Sequence, residues 1–228
     1  FIQRYGEHVH RAAPAELQTL SVEAVAWQCC HGMGSAPGLD GWHDTDLASL
    51  SPRAHELLAD MLRAIEEGAP WPAVMKEARA VLLPKDPTKA HDPLQYRVLT
   101  ITPMLYRKWA SLRLRQAAHW VKLWDDPALH AGVPGRGAND AWYSTALDLE
   151  ESRSESIHVV GGSLDIYKCF DQLNRPLVLE LAQRAGMPAV LLRAYSAFAR
   201  DLQARFQFGV HLGAPKAHRA AIPQGCPL

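Results

Sequence analysis

The chain has 228 residues, 48% of them hydrophobic, so it can bury a sizeable core and is not disordered throughout. Lys plus Arg and Asp plus Glu each number 24, and this zero net charge taken alone argues against a nucleic-acid-binding module, which is usually basic. No run of about 18 apolar residues is present, so no membrane-spanning helix is expected, and no basic start followed by an apolar run marks a signal peptide.

In chain order, the pattern predicts a helix over residues 15–30 (Leu17, Leu20, Val22, Val25, Trp27) and a Gly/Pro loop over 31–42. Ser51 is placed to cap a helix with Pro52 at its first position. Leu58, Met61, Leu62 and Ile65 line one face of it, and Gly68 closes it. Residues 78–83 read as a strand, 85–93 as a charged turn and 96–101 as a second strand. Pro103 opens a long helix to about Lys122, with Leu105, Trp109, Leu112 and Trp120 on its core side and Lys108, Arg115, His119 and Lys122 on a cationic side. Residues 131–137 form a loop, 139–150 a helix and 151–156 a polar linker. A strand weakened by Gly161 and Gly162 is expected over 157–166, followed by helices at about 175–185 and 188–203. Residues 205–211 alternate like a strand, with 217–222 as a hairpin partner. Strands and helices mixed without strict βαβ alternation predict an α+β fold.

The neutral total conceals a split. Residues 1–72 carry 4 basic and 10 acidic side chains, whereas residues 76–122 carry 10 basic against 3 acidic. Such asymmetry points either to an anionic partner for the middle of the chain or to a solvated helix face. Cys29, Cys30, Cys169 and Cys226 include no CxxC pair, and they read as reduced thiols of an intracellular protein, in nucleus or cytoplasm.

Leu164-Asp165-Ile166 places a carboxylate at the end of an apolar stretch, and Asp171 follows. An aspartate there either caps the turn or holds a divalent cation together with a backbone carbonyl. The segment 164–208 (LDIYKCFDQLNRPLVLELAQ…ARFQF), closed by IPQGCPL at 222–228, resembles the palm of a reverse transcriptase of non-LTR (LINE-type) retroelements and group II introns. Three earlier blocks agree in order. SAPGLDGW (35–42) resembles the N-terminal extension motif. LLPKDPTKAHDPLQYRVLTITPMLYRKWASLRLR (82–115) resembles the fingers motif, although Val98 stands where the family often has Pro. GVPGRGA (132–138) resembles the next fingers motif. Ordered blocks over about 35–228 are more specific than any single one.

The resemblance implies right-hand polymerase fingers plus a partial, ferredoxin-like palm, with an N-terminal helical extension at 1–34, fingers at 35–156 and partial palm at 157–228. It implies an RNA-directed DNA polymerase that adds deoxynucleotides by two-metal phosphoryl transfer, with Mg²⁺ or Mn²⁺ as cofactor. Asp165 would be the first metal-binding aspartate and Ile166 would lend its carbonyl. Lys85 and Arg97 would grip the triphosphate, and Lys168 would also belong to the nucleotide site. Phe170 would sit beneath the sugar and disfavour a ribose 2′-OH, unless it merely packs in the core. Gln224 and Gly225 would meet the nucleotide and its template partner. Lys108, Arg115, Lys122 and Arg136 would track phosphates of template RNA and DNA primer. Asp171 is expected to cap the turn into the helix after Asn174. No membrane or protein partner is implied.

The family also needs an aromatic-x-Asp-Asp hairpin after the PQG block. Leu123-Trp124-Asp125-Asp126 mimics it but precedes Asp165, and Pro127 follows at once, so it reads as a surface turn. Beginning at Phe1 and ending inside IPQGCPL, the chain is expected to be a piece cut at both ends. Alone it is expected not to polymerise DNA and to aggregate through unpaired strand edges near Asp165 and Phe206. Two other readings are a non-catalytic nucleic-acid-binding relic and an unrelated α+β enzyme.

Overall fold

The computed structural model describes residues 1–32, 34–89, 91–219 and 222–228. Met33 in the expected loop, Ala90 in the expected charged turn, and residues 220–221 in the expected strand 217–222 lie outside the described residues. The helices are α1 (Ile2–Tyr5), α2 (Val22–Cys30), α3 (Asp44–Ala48), α4 (Pro52–Glu67), α5 (Met104–Gln116), α6 (Ala118–Val121), α7 (Ala138–Ser154), α8 (Cys169–Gln172), α9 (Arg175–Arg184) and α10 (Ala189–Asp201). The strands are β1 (Glu77–Pro84), β2 (Tyr96–Ile101), β3 (Gln203–Phe208), β4 (His211–Leu212) and β5 (Lys216–Ala217).

They form one mixed sheet in the order β2-β1-β3-β4, with β5 also on β3. β1 pairs antiparallel with β2 and parallel with β3, a pairing that needs the long helical crossover between them. The fold is therefore mixed α+β with a small sheet. The register sets Ala80 beside Thr100 and Phe206, and Leu82 beside Val98, on one face.

Local chemistry explains the best-defined elements. Ser51 accepts the Ala54 N–H at 3.2 Å, Pro52 opens α4, and Gly68 ends it at φ 119°. The apolar side of α4 meets α2, α5 and α10 around Trp71, Tyr106, Trp109 and Phe198. Tyr106 and Phe198 stack with ring centroids 3.5 Å apart, and Trp71 sits edge-on to both, its indole donating to the Ala194 carbonyl at 2.9 Å. Buried Glu66 accepts from Trp109 Nε1 at 2.7 Å and from the Arg113 guanidinium, with which it pairs.

Four expectations need correction. The helix predicted over 15–30 begins only at Val22, because Ser21 caps it and the chain before it binds elsewhere. Ala12 donates to the Arg184 carbonyl and Ala15 to that of Gly186. The helix predicted to Lys122 breaks at Ala117, where α6 turns Trp120 inward to donate to the Ala185 carbonyl at 2.7 Å. The expected linker 151–156 is largely the last turn of α7. No strand forms over 157–166; the stretch is exposed and pairs with no strand of the sheet. Two glycines weaken it and no neighbouring strand offers a ladder.

Candidate nucleotide-binding site

The loop that resembles the N-terminal extension motif is a brace. Asp40 Oδ2 accepts the Met104 N–H at 2.8 Å at the start of α5. Burial pushes the Asp40 carboxyl up, against the pull of the Met104 and Leu105 N–H groups. Gly38 must be glycine for this contact, since a Cβ would lie 2.8 Å from Asp40 Oδ1 and 2.9 Å from the Thr102 carbonyl. Arg79 and Arg107 donate to the Pro37 and Ala36 carbonyls at 2.9 and 2.5 Å. Asp44 accepts the Ser35 N–H at 2.9 Å and pairs with Lys108 at 2.7 Å. Three basic side chains of this region, Arg79, Arg107 and Lys108, are thus spent holding the loop against β1 and α5.

On the other side of β1 and β2 lies a cavity of about 320 Å³ lined by Lys85, Tyr96, Arg97, Val98, Asp165, Ile166, Lys168, Cys169, Phe170, Asp171 and Gln224. Lys85 closes the β1–β2 connection, its N–H donating to the Gln95 carbonyl at 2.8 Å. Arg97 is the second residue of β2, opposite Leu83, and is exposed. Lys168 adopts a left-handed conformation, φ 48° and ψ 47°, which is uncommon for a side-chain-bearing residue and turns the chain into α8. Phe170 is 47% exposed, so core packing is not its role. Its carbonyl accepts the Ile222 N–H at 3.3 Å, tying α8 to the PQG segment. The Gln224 carbonyl accepts the Thr100 N–H at 2.9 Å, which hangs that segment on the edge of β2. Gly225 lies just outside the lining, at φ 108°, against the Thr100 carbonyl.

Three cations and two carboxylates therefore share one polar cavity. The Lys85 and Lys168 ammonium groups stand 5.9 and 5.7 Å from the centre of the Tyr167 ring. Among the described residues no group of three or more His, Cys, Asp or Glu side chains is arranged to hold a metal ion. Asp165 and the Ile166 carbonyl are hard oxygen donors on this wall, which suits one partial Mg²⁺ or Mn²⁺ site completed by other ligands.

The expected phosphate-tracking face is only partly assembled. Lys108 does not belong to it: it is 7% exposed, paired to Asp44, and it donates to the His31 carbonyl at 2.6 Å. Its place on α5 faces the brace, which the helical spacing does not reveal. Arg136 is taken up by its own loop, with both terminal nitrogens on the Asp125 carboxylate at 2.8 and 2.9 Å and further bonds to the Asp126 and Leu129 carbonyls. Asp125 and Asp126 accordingly form a turn. Arg115 lies 4.2 Å over the Trp27 ring and donates to Gln28 at 3.0 Å, while Lys122 is exposed. Asn174, not Asp171, caps α9, accepting the Leu177 N–H at 3.1 Å; Asp171 instead sits within α8 and lines the cavity.

No protein-family model matches the chain, and no curated protein matches it. Among the described residues no helix is long and apolar enough to cross a membrane.

Proposed function

We propose that the chain is the fingers and part of the palm of a reverse transcriptase of the non-LTR or group II intron-like kind, acting inside the cell, in nucleus or cytoplasm. Its full-length parent would be an RNA-directed DNA polymerase using a DNA primer, an RNA template and deoxynucleotides. The observation that carries this reading is the convergence of residues far apart in sequence. Lys85, Arg97, Asp165, Ile166, Lys168, Phe170 and Gln224 all line one cavity.

In this reading Lys85, Lys168 and Arg97 hold the triphosphate, Arg97 through its two-pronged guanidinium. Phe170 presents an exposed ring to the sugar, where a 2′-OH would clash. Gln224 is held at the wall by its own backbone bond to β2. Asp165 and the Ile166 carbonyl would supply two oxygens to a divalent cation, whose chemistry is to neutralise charge on the transferring phosphoryl group. Asp171 is the one other carboxylate on this wall, and among the described residues no group of three or more such side chains is arranged for a cation, so this chain alone would bind a nucleotide without polymerising it.

Titration of the full chain with dTTP and UTP tests the reading. Binding of dTTP is expected to weaken about tenfold or more in Arg97→Ala, since a charge-assisted bidentate contact is lost. Phe170→Ala is expected to narrow the difference between dTTP and UTP. Absence of nucleotide binding, or indifference to both substitutions, would overturn it, as would primer extension with Mg²⁺ for the claim of inactivity.

A further inference from the structure

A second cavity, of about 350 Å³, adjoins the first and shares Val98, Asp171 and Gln224 with it. Its floor is the sheet face of Ala80, Val98, Ala204 and Phe206, where two alanines leave room above the strands. Its rim carries Lys216 on β5, His218 and Arg219. Lys216 and Arg219 are exposed, and no ion pair within the chain engages either among the described residues.

His218 is set by a residue behind it. Arg175, buried at the start of α9, donates one nitrogen to the Ala199 carbonyl at 2.5 Å and another to His218 Nδ1 at 2.6 Å. A guanidinium only donates, so Nδ1 must be the unprotonated nitrogen and the ring proton sits on Nε2. Burial and the Arg175 charge also hold the imidazole below its usual pKa. The remaining polar atom of the ring is thus a fixed N–H donor. Asp171 is the one carboxylate among the described lining residues, and two cations outnumber it.

We propose that this second cavity binds a nucleotide phosphate, with Lys216, Arg219 and the Nε2–H of His218 as donors and the Val98–Phe206 sheet face beneath the attached apolar part. An apolar floor with a cationic rim suits this ligand class, because the base or sugar covers the floor while the phosphate reaches the rim. The site stands on its own lining and does not depend on the polymerase reading.

Imidazole-¹⁵N spectra of the full chain give a local readout, with the His218 signal assigned by its loss in His218→Gln. Titration with pyrophosphate or with a short oligothymidylate is expected to move the His218 Nε2–H resonance. The double substitution Lys216→Ala, Arg219→Ala is expected to weaken that response about tenfold. Both side chains are exposed, and the signal of buried His55 reports that the fold persists. Tighter binding of the oligothymidylate identifies a strand phosphate and tighter binding of pyrophosphate a free one; both outcomes support the site. A His218 signal unmoved by either ligand, or a response unchanged by the double substitution, would overturn it.

Discussion

Thr100 donates its backbone N–H to the Gln224 carbonyl at 2.9 Å, so main-chain bonding ties the segment 222–228 to β2, beside the Tyr106–Cys226 side-chain contact at 3.1 Å. The next residue, Gly225, has φ 108°, and a Cβ there would lie 3.2 Å from the Thr100 carbonyl and 3.3 Å from Leu99 Cδ1. Gly225→Ala should therefore cost about 1–3 kcal/mol of local stability through backbone strain. Faster amide exchange at Thr100, with exchange in α4 unchanged, would show it; unchanged protection at Thr100 would contradict it.

The Glu66–Arg113 pair joins α4 to α5 inside the core, with the Trp109 indole on the same carboxylate. Removing one partner leaves a buried charge unmatched, a loss of about 3–5 kcal/mol. Glu66→Ala is expected to lower the unfolding free energy, measured by urea denaturation, by that much. Glu56→Ala, which breaks the exposed pair with Arg53, should change it by about 0.5 kcal/mol or less. Equal effects at both sites would argue against the buried network.

Lys108 and Lys122 differ in kind although helical spacing puts them on one face. Lys108→Met strands Asp44 in the brace and is expected to lower stability by about 3 kcal/mol. Lys122→Ala should leave the melt unchanged and reduce only the salt dependence of oligonucleotide binding, because its side chain is exposed. Denaturation curves beside binding at two salt concentrations separate the two effects.

The sequence was most legible where local chemistry decides. Ser51, Pro52 and Gly68 delimit α4 without help from the rest of the fold, and the two apolar runs 78–83 and 96–101 are strands as their composition predicts. The cavity residues were legible only through the order of the motif blocks, since nothing in Lys85 or Gln224 alone points to the other. What escaped depends on distant partners. Asp40 reads as part of a Gly/Pro loop and nothing singles out Asp44, yet they anchor α5. Nothing in the sequence singles out His218 from the other ten histidines; the Arg175 contact, which fixes its tautomer, does. The stretch 157–166 has a strand's composition, but a strand forms only where another edge receives it.

Two buried or half-buried groups contribute to the acid response in different pH ranges. His218 is held below its usual pKa by burial and by Arg175, with Asp171 pulling the other way. The unfolded chain therefore binds this proton more readily, and stability falls as pH drops from about 6.5 towards the folded pKa. Burial pushes the Asp44 carboxyl up, but Lys108, the Ser35 N–H and Arg107 outweigh it and hold it below the usual range, so its contribution is lost only under more acid conditions, below about pH 4. His218→Gln is expected to flatten the loss that begins below about pH 6.5 and leave the limb below about pH 4 unchanged. Urea midpoints across that range test it, and an unaltered slope in the variant would remove His218 from the account.

The stretch 157–166, which joins no strand, leaves apolar side chains in water. Val160 is 97% exposed and Leu164 fully exposed, and the neighbouring helix α7 buries none of its residues while Trp142 stands 75% exposed. A backbone that pairs with no strand and carries such side chains is a template for pairing with another copy. The chain in isolation is therefore expected to self-associate and to bind a dye that reports apolar surface. Val160→Glu with Leu164→Glu should raise the monomer fraction in light scattering without shifting the melting temperature, because neither side chain contributes to the core. A stable monomer in the unsubstituted chain, or no gain from the double substitution, would show that this stretch is not the adhesive surface.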